Sequence, residues 1–249
     1  MPRFLKIAHR GASGAFPENT RIAFQKAIKA RVDMIEMDCQ LTQDGHVVVF
    51  HDEKLSRTGK LRGTVGQTSL EQLKKMDVGR WRSKKFRGER IQTLEEVVTL
   101  INGDARLCID IKQYRCSPLG IELKLLFIFS HFDCLDHVVL SSPDDRCLER
   151  VRELAPEARI GLIHGRGGGS DPVAVAVALG AMSVHLQKEV ASRELIHRAW
   201  DRGLDVIVWT VNDVQEIEKF ASLGVQGIIS DFPDRLSLGR WGARKPSET

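Results

Sequence analysis

The strongest constraint on what this chain can fold into is an alternation: a short β-branched run, then a segment with helical apolar spacing, repeated along its length. Extended runs fall at residues 4–9, 33–40, 106–112, 137–142, 159–164, 181–187, 204–210 and 226–230. Amphipathic stretches lie near 19–30, 93–102, 118–131, 144–155, 171–180, 192–202 and 212–223, with spacing such as Ile22, Ala23, Ala27 and Ala30. Asn19, Ser192 and Asn212 read as N-caps and Asp171-Pro172 as a cap with a first-turn proline, while Gly180, Gly203 and Gly224 stand where helices should stop. Eight strands alternating with helices predict an α/β fold, a closed (β/α)8 barrel of the TIM type, and 249 residues suit one such domain. An open doubly wound sheet is the alternative, weakened because no GxGxxG follows the first strand. The glycine-rich stretch 165–170 fails that pattern at its last position and reads as a mobile loop.

Two stretches break the alternation. A turn signal at 41–46 leads straight into another extended run at 47–50, with no room for a helix, which predicts an antiparallel hairpin. With the turn centred on 43–46, Thr42 faces Val47 and Asp38 falls opposite His51. Residues 53–92 then form an insertion, with a short helical piece at 70–76. The insertion carries the basic run Arg80, Arg82, Lys84, Lys85, Arg87 and Arg90, interleaved with Trp81 and Phe86. The simplest reading of that run is a solvated face with its aromatics packed on the barrel. Steering of phosphorylated substrates, or contact with an anionic membrane surface, is the alternative. Barrel enzymes carry such excursions at the C-terminal face, where the chemistry sits.

Composition narrows the function classes. Apolar residues at 42% and charged residues at 28% are those of an ordinary globular protein. A net charge of +4 is too small to predict nucleic-acid binding, yet suits an anionic small substrate. No run approaches the length of a membrane span, and the first residues lack a signal-peptide pattern. Five cysteines, odd in number and without a CxxC pair, read as reduced thiols. These features predict a cytoplasmic protein without stable membrane insertion, and a flexible tail from about residue 241.

Polar residues at the strand ends carry the chemistry. His9-Arg10 closes the first strand, and Glu36 and Asp38 stand two apart on the second, hence on one face. Asp110 and Lys112 share a face of the third in the same way. Burying these charges without partners costs roughly several kcal/mol per ion. A divalent cation would relieve the three carboxylates, and oxygen-only ligands favour a hard ion, Mg2+ or Ca2+. A phosphodiester needs a base for the attacking oxygen and an acid for the leaving alkoxide, and His9 and His51 can do either near neutral pH. Arg10 and Lys112 supply positive charge for the phosphoryl oxygens.

The motifs His9-Arg10-Gly11, Pro17-Glu18-Asn19-Thr20, Glu36-Met37-Asp38 and His51-Asp52, with Leu55, Arg57 and Thr58, resemble those of the glycerophosphodiester phosphodiesterase family. The resemblance continues, in order, through Thr93-Leu94-Glu95-Glu96, Ile109-Asp110-Ile111-Lys112, Trp209-Thr210-Val211-Asn212 and Gly227-Ile228-Ile229-Ser230-Asp231. It implies a (β/α)8 barrel with a small inserted subdomain after the HD motif, matching residues 53–92. It further implies metal-dependent hydrolysis of small glycerophosphodiesters to sn-glycerol 3-phosphate and an alcohol. By position, His9 and His51 would be the acid/base pair, and Glu36 and Asp38 would bind one divalent cation with Asp110 as third ligand. Arg10 and Lys112 would hold the phosphate, with Trp209 as an apolar wall near glycerol. Two positions depart from the family: Asp110 stands where glutamate is usual, and Pro143 where phenylalanine is common. A lysophospholipase-D-like enzyme with a wider mouth is one rival reading. A non-catalytic phosphate-binding barrel is the other, and the two histidines argue against it.

Overall fold

A computed structural model of the chain describes residues 4–237, so the tail from about residue 241 lies outside the described residues. The strands are β1 (Leu5–His9), β2 (Met34–Leu41), β3 (Val47–Val49), β4 (Gln92–Thr93), β5 (Arg106–Ile111), β6 (Val138–Ser142), β7 (Arg159–His164), β8 (Ser183–Gln187), β9 (Asp205–Trp209) and β10 (Gly227–Ser230). All but β3 and β4 run parallel, in sequence order, and close through the pairing of β10 with β1. The helices are α1 (Arg21–Lys29), α2 (Leu70–Lys74), α3 (Leu94–Ile101), α4 (Ile121–His131), α5 (Asp145–Leu154), α6 (Pro172–Ala178), α7 (Arg193–Trp200) and α8 (Val214–Leu223). This is the (β/α)8 barrel that the alternation predicts. Among the described residues no helix is long and apolar enough to cross a membrane.

The two-residue period of the strands divides the apolar residues into separate layers. Outward-facing residues such as Ile35, Met37 and Ile160 pack against Phe24, Leu94 and Phe129 of the helices. Inward, Ile7, Met34, Cys108, Val139, Ile207 and Ile229 form a floor inside the barrel. A third cluster, with Val48, Phe50, Leu55, Leu73 and Ile91, lies under residues 53–92 and hangs that segment on the hairpin. Phe86 of the basic run is buried beside Phe16, 5.7 Å between ring centroids, while Arg80, Lys84, Lys85 and Arg87 point to solvent.

The hairpin register differs from expectation by one residue. Leu41 faces Val47, and Phe50 N donates to Asp38 O at 2.9 Å, so Asp38 lies opposite Phe50 and not His51. The cause is a tighter turn. Thr42 N donates to His46 O at 2.9 Å, and Gly45 takes the left-handed conformation (φ 78°) that a three-residue loop requires.

Two expected N-caps also move. Thr20 and Asp213 cap α1 and α8 in place of Asn19 and Asn212. The two asparagine side chains are engaged elsewhere, Asn19 with Asp38 at 2.8 Å and Asn212 with Asp231 at 2.6 Å. Ser192 and Asp171-Pro172 cap α7 and α6 as predicted, and Gly224 closes α8 in a left-handed conformation.

Candidate active site

Above the apolar floor, the C-terminal strand ends surround a cavity of about 330 Å³. One wall is His9, Arg10, Glu36, His51, Asp110 and Lys112; the other includes Ser141, Ile163, Arg166, His185, Gln187 and Trp209. Strand register sets the charged wall in two tiers. His9 pairs with Glu36 across β1 and β2, and Asp38 with Asp110 across β2 and β5.

One carboxylate oxygen from each of Glu36, Asp38 and Asp110 lies within 4.8 Å of the others. Burial, then repulsion from Asp38, pushes Glu36 up to about 7. Burial raises Asp110 as well, against the pull of Lys112. Asp38 goes the other way: burial opposes ionisation, but Arg10 and Lys112 hold its carboxyl well below the usual range. Lys112 Nζ donates to Asp110 Oδ2 at 2.6 Å and stands 3.2 Å from Asp38 Oδ1. Asp110 Oδ1 is buried with no hydrogen-bond partner. Three clustered carboxylates thus share two cations, Arg10 and Lys112, of which Arg10 is also engaged by Glu18. A hard divalent cation fits this oxygen set and its unpartnered atom.

Arg10 reaches the cluster because the chain turns sharply after β1. Arg10 and Gly11 are both left-handed (φ 54° and 79°), and a Cβ on Gly11 would sit 2.7 Å from the Ala23 backbone of α1. That turn aims Arg10 N–H at Glu36 Oε2, 2.9 Å away. The guanidinium donates to Glu18 at 2.9 Å and lies 3.1 Å from Asp38. Non-glycine residues held left-handed cluster at functional sites.

Each histidine meets a carboxylate at Nδ1, His9 with Asp231 at 2.6 Å and His51 with Asp52 at 2.7 Å. A carboxylate accepts the Nδ1 proton and leaves Nε2 for chemistry. Burial is the largest influence on His9 and works against its protonation, but the Asp231 hydrogen bond and the charges of Glu36 and Asp231 together outweigh it and raise the imidazole above its ordinary value. Asp231 also accepts from Ser13 Oγ at 2.9 Å and Asn212 Nδ2 at 2.6 Å. Burial opposes its ionisation, yet the hydrogen bond and charge of His9, with the Asn212 and Ser13 bonds, together draw it down to about 2. Asp52 is held by Arg57 at 2.5 and 3.0 Å, and Arg57 in turn makes two bonds to Glu18, at 2.8 and 2.7 Å. Glu18 therefore joins the His51 assembly to Arg10.

Residues 9–235 match the model of the glycerophosphoryl diester phosphodiesterase family. The chain belongs to this family. A glycerophosphodiester phosphodiesterase of Caldanaerobacter subterraneus subsp. tengcongensis is 39% identical over 93% of this chain and 96% of its own. A putative glycerophosphodiester phosphodiesterase of Bacillus subtilis is 37% identical over 92% and 94%. Among solved structures, a phosphodiesterase of Oleispira antarctica in complex with the product sn-glycerol-3-phosphate superposes with a TM-score of 0.84. Identity is 26%, over 92% of this chain and 94% of that one.

The structure brings together the eight residues to which the resemblance assigns a role: His9, Arg10, Glu36, Asp38, His51, Asp110 and Lys112 on one wall, with Trp209 across the cavity. Trp209 donates its indole N–H to His185 O at 2.9 Å, which fixes the ring at the cavity edge. Sequence reasoning gave no place in the site to Asp231, Asp52 or Glu18, and read Asn19 and Asn212 as helix caps only. For Asp231 and Asp52 a signal was present, an aspartate at the end of the last strand and one directly after His51. Glu18, Asn19 and Asn212 lie within the quoted motifs, but nothing local in the sequence says which distant side chain each one meets.

Proposed function

We propose that this enzyme hydrolyses small glycerophosphodiesters to sn-glycerol 3-phosphate and an alcohol, with His9 and His51 as the acid/base pair. The observation that carries the reading is the matched setting of the two imidazoles, each with a carboxylate on Nδ1 at the edge of one cavity. One ring accepts the proton of the attacking oxygen and the other protonates the departing alkoxide, so neither charged oxygen species has to form free. Binding alone needs no such pair, which speaks against a silent phosphate-binding barrel.

Glu36, Asp38 and Asp110 would hold one divalent cation, Mg2+ or Ca2+, which when bound supplies Lewis-acid stabilisation of the phosphoryl oxygens. The charge count supports it. With a dication holding all three acids ionised, its charge and those of Arg10 and Lys112 exceed the three carboxylates by one, which suits a phosphodiester monoanion. Arg10 and Lys112 then orient the phosphate, and Trp209 offers an apolar wall to the glycerol carbons. A cavity of about 330 Å³ stands at the low end for ligand pockets, which favours a small diester over a lysophospholipid with its acyl chain. We take the whole chain as a single catalytic domain acting in the cytoplasm, a reading supported by five unpaired cysteines.

The test is release of glycerol 3-phosphate from several glycerophosphodiesters, with and without chelator. Wild type should lose activity on chelation and regain it with Mg2+ or Ca2+. His9→Ala and His51→Ala should each lower kcat by about 10³-fold. Activity that survives both substitutions rules the mechanism out.

A further inference from the structure

The wall across the cavity from the carboxylates comes from β7 and β8 and the glycine-rich loop that follows β7. That loop is seated against its neighbours. Arg166 N donates to Gln187 Oε1 at 2.8 Å, and a Cβ on Gly165 would lie 2.8 Å from the same oxygen. A Cβ on Gly168 would strike the His164 ring at 2.4 Å. The glycines permit these close approaches, and they place Arg166 on the cavity wall.

The charge of this wall is one-sided. Both carboxylates that line the cavity, Glu36 and Asp110, belong to β2 and β5. Across from them stand Ile163, Gln187, Trp209 and Arg166, with His185 kept neutral by burial that lowers it to about 4. The acid nearest along the loop, Asp171, is engaged by Arg198. Among the described residues the Arg166 guanidinium has no ion pair or hydrogen bond, so its charge is open to a ligand. A quaternary ammonium is best received by several aromatic faces or a carboxylate, and this wall offers one tryptophan and neither acid.

We propose that Arg166 selects the leaving alcohol, favouring hydroxylated or anionic head groups over those with a quaternary ammonium. The inference rests on the glycerophosphodiesterase reading. The glycerol arm is neutral and common to every such substrate, so a charge on the wall discriminates through the other arm alone. Guanidinium N–H groups donate to hydroxyls or to an anionic oxygen, and the same charge repels a trimethylammonium.

The experiment compares kcat/KM for glycerophosphoinositol and glycerophosphocholine in wild type, Arg166→Ala, Arg166→Glu and Arg166→Lys, with Mg2+ present. The ratio of the two values cancels differences in the amount of active enzyme. Wild type and Arg166→Lys should prefer the inositol diester. Arg166→Ala should lower the ratio about fivefold and Arg166→Glu about 25-fold, as expected for one and two unit charges acting through water at this exposed side chain. Added salt should shrink the wild-type ratio and leave that of Arg166→Ala unchanged. A ratio that is the same in all four proteins overturns the proposal while leaving the reaction in place. Hydrolysis of neither diester by wild type overturns the reaction itself, and the proposal with it.

Discussion

His9 on β1 and His185 on β8 face the same barrel interior, and their imidazoles are driven in opposite directions. Burial disfavours the imidazolium at both sites. His185 has Ser183 Oγ at 2.9 Å and no carboxylate, and burial alone takes it down to about 4. His9 meets the same penalty, but Asp231 at 2.6 Å and the nearby Glu36 carboxylate together outweigh it. What separates the two imidazoles in this barrel is the presence of neighbouring carboxylates, more than the place in the wall. His51 also has an aspartate at Nδ1, but that aspartate is held by a salt-bridged loop and not by the barrel.

The largest effect expected from this contrast concerns stability in acid. An imidazole with a lowered folded pKa leaves the fold unaffected while both states are neutral, above the unfolded value of 6.5. Below that, the unfolded chain takes up a proton that the folded one refuses, and stability falls until the pH reaches about 4. The loss over that window is about 3 kcal/mol. His9, raised in the folded state, slopes the opposite way and loses its contribution as pH rises. Denaturant unfolding across this range should therefore show a flatter acid slope for His185→Gln than for wild type. An unchanged slope would mean that His185 takes no part in it.

The second test removes the partner that distinguishes the two histidines. Asp231→Asn keeps the shape but takes away the anion, so the His9 imidazole is left with burial and a weaker bond. We expect kcat to fall about 30-fold, equivalent to about 2 kcal/mol. Whichever limb of the kcat/KM profile His9 governs should move to lower pH, because loss of the carboxylate makes the ring easier to deprotonate. A profile that keeps its limbs while kcat falls would assign Asp231 to structure alone.

Much of this was legible in the sequence, for reasons that differ between parts. The barrel could be read because strand and helix periods are properties of short windows, and eight of them in alternation allow few closures. Glu36 and Asp38 could be read as one face because two residues on a strand cannot point elsewhere. The hairpin register could not, since it turned on whether Gly45 would take a left-handed conformation and shorten the loop by one residue. Asn19 and Asn212 were misplaced as helix caps for a related reason. Each was competent to cap, but a carboxylate more than ten residues away, buried for Asp38 and half-buried for Asp231, offered the stronger hydrogen bond.

The smallest effect is expected where the comparison moves from the barrel to the hairpin. Asp231 is fixed by His9, Ser13 and Asn212, whereas Asp52 depends on Arg57, whose side chain is 42% exposed. Exposed ion pairs contribute at most about 1 kcal/mol, and salt screens them. Arg57→Gln should accordingly lower kcat about fivefold, far less than Asp231→Asn, with little change in unfolding free energy. High salt should reproduce part of that loss in wild type and add nothing in the variant, since the screened interaction is already gone. If Arg57→Gln instead costs as much as Asp231→Asn and ignores salt, the Asp52–Arg57–Glu18 chain is as rigid as the barrel. His51 would then be held by the fold to the same degree as His9.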